Sequence, residues 1–298
     1  MNCMRPILAA IVVASISAFG ADTPVPDAAK PLIGCWKGDV GNSFMKFEPA
    51  RVIAYDAGQL YVFAAVYDTG KVTLSHMGSK FTANADIAGD KLTWTTSEGH
   101  GQIMSRLGTV PEELELKALA LGAKAVPADK LKDIQQELAK REVEDQAVRK
   151  DKTREKDMGN VDRDNTAYLT KLVKEYGWAD VTRFGEPAAH DAFLIVQHSG
   201  NLPLMLAALP EIEKETKAGR LPDGQNFALL YDRTKLYMGE KQRYGTQVGQ
   251  DSKGDPVVLP LEDRAKVEQY RKEINMVPLT QYLEFFEKQF GKKVKFME

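Results

Sequence analysis

Residues 59–96 read QLYVFAAVYDTGKVTLSHMGSKFTANADIAGDKLTWTT, and the architecture of the first part of the chain follows from them. Aromatic and β-branched residues come in short runs broken at Asp68-Thr69-Gly70 and Ala88-Gly89-Asp90, residue types that turn a chain. In KLTWTT, Leu92 and Trp94 alternate with Thr93 and Thr95, which points one face to a core and the other to solvent. Upstream, SFMKF at 43–47 continues the pattern, with a further turn signal at Asp56-Ala57-Gly58. The whole predicts an antiparallel meander of about six strands over residues 32–110, a small open sheet or barrel.

After Pro111 the hydrophobic period lengthens. Leu131, Ile134 and Leu138 step by three and four, which predicts a helix from a cap at Asp129 to about Lys156, with Gly159 beyond its end. A second helix opens around 162–164 and buries Tyr168, Leu169, Leu172, Val173 and Tyr176. A third, at 187–199, is apolar all round at Phe193-Leu194-Ile195-Val196, the mark of a helix central to its domain. Asn201 opens a fourth, which Pro210 should kink or split, and Asp223 caps a fifth. Two strand-like runs, 235–238 and 242–248, read as a short hairpin, and two amphipathic helices close the chain. The expected class is α+β: a small antiparallel β-domain, then a mainly helical domain over 111–298 carrying that hairpin.

The 40 Lys+Arg against 42 Asp+Glu, a net charge of -2, argue against a partner dominated by nucleic-acid phosphates. Arg5 precedes an apolar run, PILAAIVVASISAF at 6–19, and Ala18 and Gly20 are small residues placed for cleavage before Ala21. The run falls short of the roughly 20 apolar residues that span a bilayer. A signal peptide over 1–20, a Pro-rich linker over 21–31, and an exported protein, periplasmic or extracellular, without a transmembrane segment after cleavage are expected. Cys3 would leave with the signal, so Cys35 would be alone and no intrachain disulfide could form.

The apolar stripe of the first helix continues from Leu138 onto Arg141, Asp145 and Arg149, with Gln146 beside them. The spacing lets Asp145 pair with both arginines, either as a solvated ladder or as the wall of a polar cleft. His198, next to Gln197, closes the most apolar helix, where the helix dipole favours imidazolium and burial opposes it. It is either a satisfied core histidine or an acid–base group. Asp232 and Arg233 follow an apolar run on the fifth helix. In the strand expected after it, Gln242, Tyr244 and Thr246 share one face and Arg243, Gly245 and Gln247 the other. Gly245 suggests a bulge there. No G-x-S-x-G, H-E-x-x-H, Walker or G-x-G-x-x-G pattern occurs, and the four histidines are scattered, so neither a metal nor a cofactor is expected.

From about Leu138 the chain resembles a bacterial family of exported domains known only as a domain of unknown function. The elements are L-x-x-R-x-x-x-D-Q-x-x-R (Leu138 to Arg149), D-x-x-N-x-x-x-L (Asp162, Asn165, Leu169) and YGW at 176–178. FLIVQH at 193–198, YDR at 231–233 and QRYGTQ at 242–247 complete them, spanning roughly 130–283, with Ala179 where the pattern has proline after GW. The resemblance implies a mainly helical domain and no particular activity. The opening Gly34-Cys35-Trp36-Lys37-Gly38 is similar to the G-x-W start of lipocalin-like barrels, which implies a shape and no ligand.

Two functions are compatible with these residues. In the first, His198 is a catalytic acid or base oriented by Asp145 or Asp232. Arg141, Gln146, Arg149, Gln197, Arg233, Gln242, Tyr244 and Gln247 then hold a polar or anionic small ligand or an envelope component, with hydrolysis a possible outcome. In the second, the same polar groups are a structural network inside a non-catalytic envelope interaction or inhibitor module.

Overall fold

Alternation of apolar residues builds the first domain. Its strands are β1 (Gly34–Gly38), β2 (Phe44–Glu48), β3 (Arg51–Asp56), β4 (Gln59–Asp68), β5 (Lys71–His76), β6 (Ser79–Ala88), β7 (Lys91–Thr96) and β8 (Gly101–Leu107). Each pairs antiparallel with its sequence neighbours, and β1 also pairs with β8, so the sheet closes into an up-and-down barrel. The computed structural model describes residues 23–297 apart from 57, 58, 222 and 252; the signal peptide expected at 1–20 lies outside the described residues.

The expected six strands are eight. Only Pro49 and Ala50 separate β2 from β3, too short a break to mark two strands in sequence. Inward-facing Trp36, Phe47, Leu74, Leu92, Trp94 and Met104 pack the interior, as the width of an eight-stranded barrel allows. The Trp36 indole N–H donates to the Leu32 carbonyl at 2.8 Å, and the Arg106 guanidinium lies 4.1 Å from the Trp36 ring centroid. The end of the expected linker is therefore pinned to the barrel, with Ala29 and Leu32 buried.

The second domain contains α1 (Ala128–Lys150), α2 (Met158–Tyr176), α3 (Val181–Phe184), α4 (Glu186–His198), α5 (Leu202–Lys217) and α6 (Gln225–Tyr237). α1 stops earlier than expected because Asp151 starts a 3-10 turn, its carboxylate accepting the Thr153 N–H. Gly159, expected beyond a helix end, lies in the first turn of α2, and α1 begins behind Pro127 with no side-chain cap from Asp129. α5 continues through Pro210, which removes one backbone hydrogen bond without ending the helix. α4 is central as expected: Phe193, Ile195 and Val196 sit in a core shared with residues of α1, α2, α5 and α6.

The hairpin expected at 235–248 is displaced. Residues 235–237 are the last turn of α6, and 242–247 form a loop rather than a strand. The hairpin is β9 (Val248–Gln250) with β10 (Pro256–Val258), followed by α7 (Val267–Glu273), α8 (Leu279–Phe290) and β11 (Lys295–Phe296), which pairs parallel to β10. No described helix is long and apolar enough to cross a membrane.

The two domains share an apolar seam. Cys35, Phe44, Ile53 and Val62 on the outer face of β1–β4 meet Leu114 from the connecting segment, Leu202 and Leu206 of α5, and Met238. Burial pushes the Cys35 thiol pKa up, so it acts as a small packing group there. At the edge of the seam His76 bonds through Nδ1 to the Val62 carbonyl at 3.0 Å, and its ring meets Tyr237 edge-on at 4.9 Å. Burial pushes its pKa below the ordinary 6.5, against the Val62 bond. The folded chain thus resists a proton that the unfolded chain accepts. Stability present above pH 6.5 is lost as pH falls toward the lowered value, with a slope of at most about 1.4 kcal/mol per pH unit. Urea unfolding of wild type and His76→Gln between pH 7.5 and 5 checks this: the wild type should lose more stability than the variant.

Candidate functional site

The polar ends of two apolar stripes meet. Along α1 the buried positions Ile134 and Leu138 lead to buried Asp145, and along α2 Leu172 and Leu169 lead back to buried Asn165 and then to Asp162. The two helices run antiparallel, so α1's last turns lie beside α2's first, and α4 brings His198 to the same place.

Asp145 is the hub. It is 0% exposed and its Oδ2 stands 2.9 Å from His198 Nδ1, with Oδ1 at 3.2 Å. Gln146 donates to Oδ2 at 2.9 Å, and Arg149 Nη1 lies 3.1 Å from Oδ1. Arg149 Nη2 donates to Asp162 at 2.6 Å, which fixes the guanidinium from α2. Against an ionised carboxylate, which only accepts, Nδ1 is the ring nitrogen that has to donate. Nε2 makes no hydrogen bond with the described residues.

His198 borders a cleft of about 1570 Å³ between the domains. Its walls are Tyr55, Gln59 and Leu60 of the barrel, the connecting segment from Glu112 to Ala120, α2 residues including Asp162, Arg163 and Thr166, and the corner from His198 to Pro203. Both walls carry mixed charge: Glu112, Glu113, Glu115, Lys117 and Lys124 on the connecting segment, and Asp162, Arg163, Lys171, Lys174 and Glu175 on α2. Among the described residues no group of three or more His, Cys, Asp or Glu side chains is arranged to hold a metal ion.

The other half of the expected site is elsewhere. Asp232, 0% exposed, accepts the backbone N–H of Arg243 at 2.8 Å and of Tyr244 at 3.0 Å on one oxygen. The other oxygen accepts the N–H and the hydroxyl of Thr246, both at 2.9 Å. Burial pushes its pKa up and these hydrogen bonds oppose the rise. The Gln242 amide donates to the carbonyls of Gln247 and Leu259 and accepts the Gln247 N–H. Arg271 donates to the Tyr244 carbonyl at 2.6 Å, and the Tyr282 hydroxyl to that of Thr246 at 2.9 Å. These bonds replace the ladder of the expected strand. Gly245, at φ +69, supplies the turn in place of a bulge.

Of the sequence candidates, the structure brings together His198, Asp145, Gln146 and Arg149. Arg141, expected to pair with Asp145, instead ties α1 to α2 through Asp164 at 2.6 Å and over the Tyr168 ring at 4.3 Å. Asp232, Gln242 and Tyr244 are committed to the loop. Gln197 and Gln247 both point their amide nitrogens at the Leu229 carbonyl, at 3.5 and 3.4 Å, between the two groups. Arg233, on α6, faces Arg149 and Asp162 electrostatically. Asp162, which holds Arg149, is the member of this cluster that the sequence reasoning did not count among the site residues. The signal was present, because Asp162 and Asn165 extend the apolar stripe of α2 just as Asp145 extends that of α1.

A family model described as a family of unknown function (DUF6624) matches residues 132–295, which takes in both polar groups and leaves out the barrel. No curated protein and no solved structure matches the chain significantly.

Proposed function

The chain belongs to that family of unknown function (DUF6624), and on this premise we propose that its second domain binds a polar or anionic small ligand in the cleft and acts on it by proton transfer at His198. The observation that carries the reading is the division of tasks on one imidazole. Nδ1 is held by a fully buried carboxylate, while the ring borders open space. A carboxylate on Nδ1 selects the tautomer in which Nε2 accepts a proton, and stabilises the imidazolium that results. Arg149 and Gln146 hold Asp145, and Asp162 holds Arg149, so the base is oriented by a chain of charged contacts. For hydrolysis, Nε2 would take a proton from a water whose oxygen attacks the ligand, then return it to the leaving group.

The site of action is proposed to be the periplasm or the exterior, on the strength of the charged, apolar and small-residue pattern over 1–20. The ligand is accordingly an envelope component or a small molecule met there, not a nucleic acid. A second reading, a non-catalytic interaction or inhibitor module, draws support from the burial of Asp232 and Gln242, whose bonds serve the loop alone.

Thermal unfolding in the presence of wall glycan and peptide fragments and small organic anions separates the two. A ligand at a hundred times its Kd stabilises by about 2.7 kcal/mol, and His198→Gln should abolish or sharply reduce the shift that wild type shows. If His198→Gln keeps every shift and every turnover of wild type, the proton-transfer reading is wrong.

A further inference from the structure

The run that links the two domains is a strand without a sheet. From Glu115 to Pro127 the chain makes no turn or bend, and Glu115 itself is extended, at φ -77 and ψ 124. Leu116 packs into the seam beside the barrel, and Leu119, Leu121 and Val126 pack against the helical core. Three backbone bonds hold the run in place. Leu119 N–H donates to the Pro203 carbonyl at 2.9 Å, Gly122 N–H to that of Val173 at 2.9 Å, and Lys124 N–H to that of Glu175 at 3.2 Å. Gly122 is also fixed by fit, since a Cβ there would stand 2.3 Å from the Lys174 carbonyl oxygen.

Between those anchors one edge is bare. Alternate residues of an extended chain turn their N–H and C=O groups to opposite sides. With Leu119 turned to Pro203, its neighbours Ala118 and Ala120 present theirs the other way. Both alanines are exposed and line the cleft. Among the described residues, neither the N–H nor the C=O of either one has a hydrogen-bond partner. An unpaired extended edge is a template for an incoming strand.

The cleft has the length for one. α2 lines it from Gly159 to Glu175, roughly 24 Å at the helical rise, which an extended peptide of about seven residues covers. Charge narrows the kind of peptide. Lys117 pairs with Glu112 and Glu115, and Lys124 with Glu175. Lys171 and Lys174 line the cleft beside the end of α2 that anchors the run, and neither pairs with a described carboxylate.

We propose that the cleft takes an extended acidic peptide, which adds as a strand to the free edge at Ala118 and Ala120 and turns its carboxylates to Lys171 and Lys174. The proposal rests on the ligand-binding reading of the cleft and gives that ligand a chemical class. Main-chain bonds supply affinity in any sequence, the small alanine side chains let two backbones meet, and the lysines supply the preference for acid.

Calorimetry of the full chain with a blocked seven-residue peptide alternating Glu and Thr tests it, beside the Lys–Thr peptide and an oligogalacturonate of similar length. The acidic peptide should bind saturably and slow amide exchange at Ala118 and Ala120. Ala118→Pro with Ala120→Pro removes two N–H donors that bond nothing in the protein, so Tm should hold while affinity falls on the order of tenfold or more. Methylating alternate peptide nitrogens in one register should weaken binding as much, without touching the protein. Lys171→Gln with Lys174→Gln should weaken it about threefold to tenfold at low salt and less at high salt. No saturable binding, or full affinity in the double proline variant and for peptides methylated in either register, would overturn the strand addition. Equal binding of the basic peptide would overturn the acidic class, and tighter binding of the oligogalacturonate would overturn the peptide in favour of an anionic glycan. A failed peptide titration beside a glycan-induced thermal shift that needs His198 would strike this proposal and spare the proton-transfer reading. Peptide binding unchanged in His198→Gln would support the edge and count against that reading.

Discussion

Asp232→Ala is expected to lose about 3–5 kcal/mol of stability, which for a domain of this size lowers Tm by roughly 10 °C. The side chain is 0% exposed and receives four hydrogen bonds, three of them from backbone N–H groups of the 243–246 loop. Alanine leaves those donors buried with nothing to accept them, and an unmade buried donor costs about 1–3 kcal/mol. Asp232→Asn should be milder yet still damaging, because its amide turns a donor toward N–H groups that can only donate. The effect should be local first. Hydrogen exchange at the amides of Arg243, Tyr244 and Thr246 should rise, while the His198–Asp145 contact persists. If Asp232→Ala unfolds no earlier than wild type, the loop is not organised by this carboxylate.

The second large effect follows from the proposed proton transfer at His198. Once a turned-over ligand is in hand, His198→Gln should lower kcat/KM by about 10²- to 10⁴-fold, the usual worth of a positioned acid–base group. Asp145→Asn should fall in the same range with the imidazole still present. The amide can turn its NH₂ toward Nδ1, which would then accept and leave the proton on Nε2, the wrong nitrogen for a base facing the cleft. Stability should change less than activity in Asp145→Asn, since Arg149 keeps a second carboxylate partner in Asp162 at 2.6 Å. A variant that lost stability and kept full kcat/KM would point instead to a structural carboxylate.

What could be read in the sequence was periodicity, and what could not was the partner choice of polar side chains. Leu92 and Trp94 against Thr93 and Thr95 identify β7, and Phe193 to Val196 identify a central α4, because burial imposes those periods directly. The choice between open sheet and barrel stayed undecided in the sequence, since closure depends on β8 returning to β1, an encounter between residues such as Trp36 and Arg106 that no local pattern encodes. The 242–247 segment misled for a related reason. Its alternation suits a strand, yet Asp232 and the Gln242 side chain take the backbone donors a ladder would use. For the site, spacing placed Asp145 and Arg149 on one face correctly, but it equally offered Arg141, which α2 draws away through Asp164. Four of the expected residues, His198, Asp145, Gln146 and Arg149, therefore come together, while Asp232, Gln242 and Tyr244 build the 243–246 loop.

The tautomer of His198 is the most direct test of the whole account. Long-range ¹H–¹⁵N NMR of the neutral imidazole should show its proton on Nδ1 in wild type, with Nε2 bare, and this preference should vanish in Asp145→Asn. A wild-type His198 protonated on Nε2, or a ring whose nitrogen shifts ignore Asp145→Asn, would contradict it.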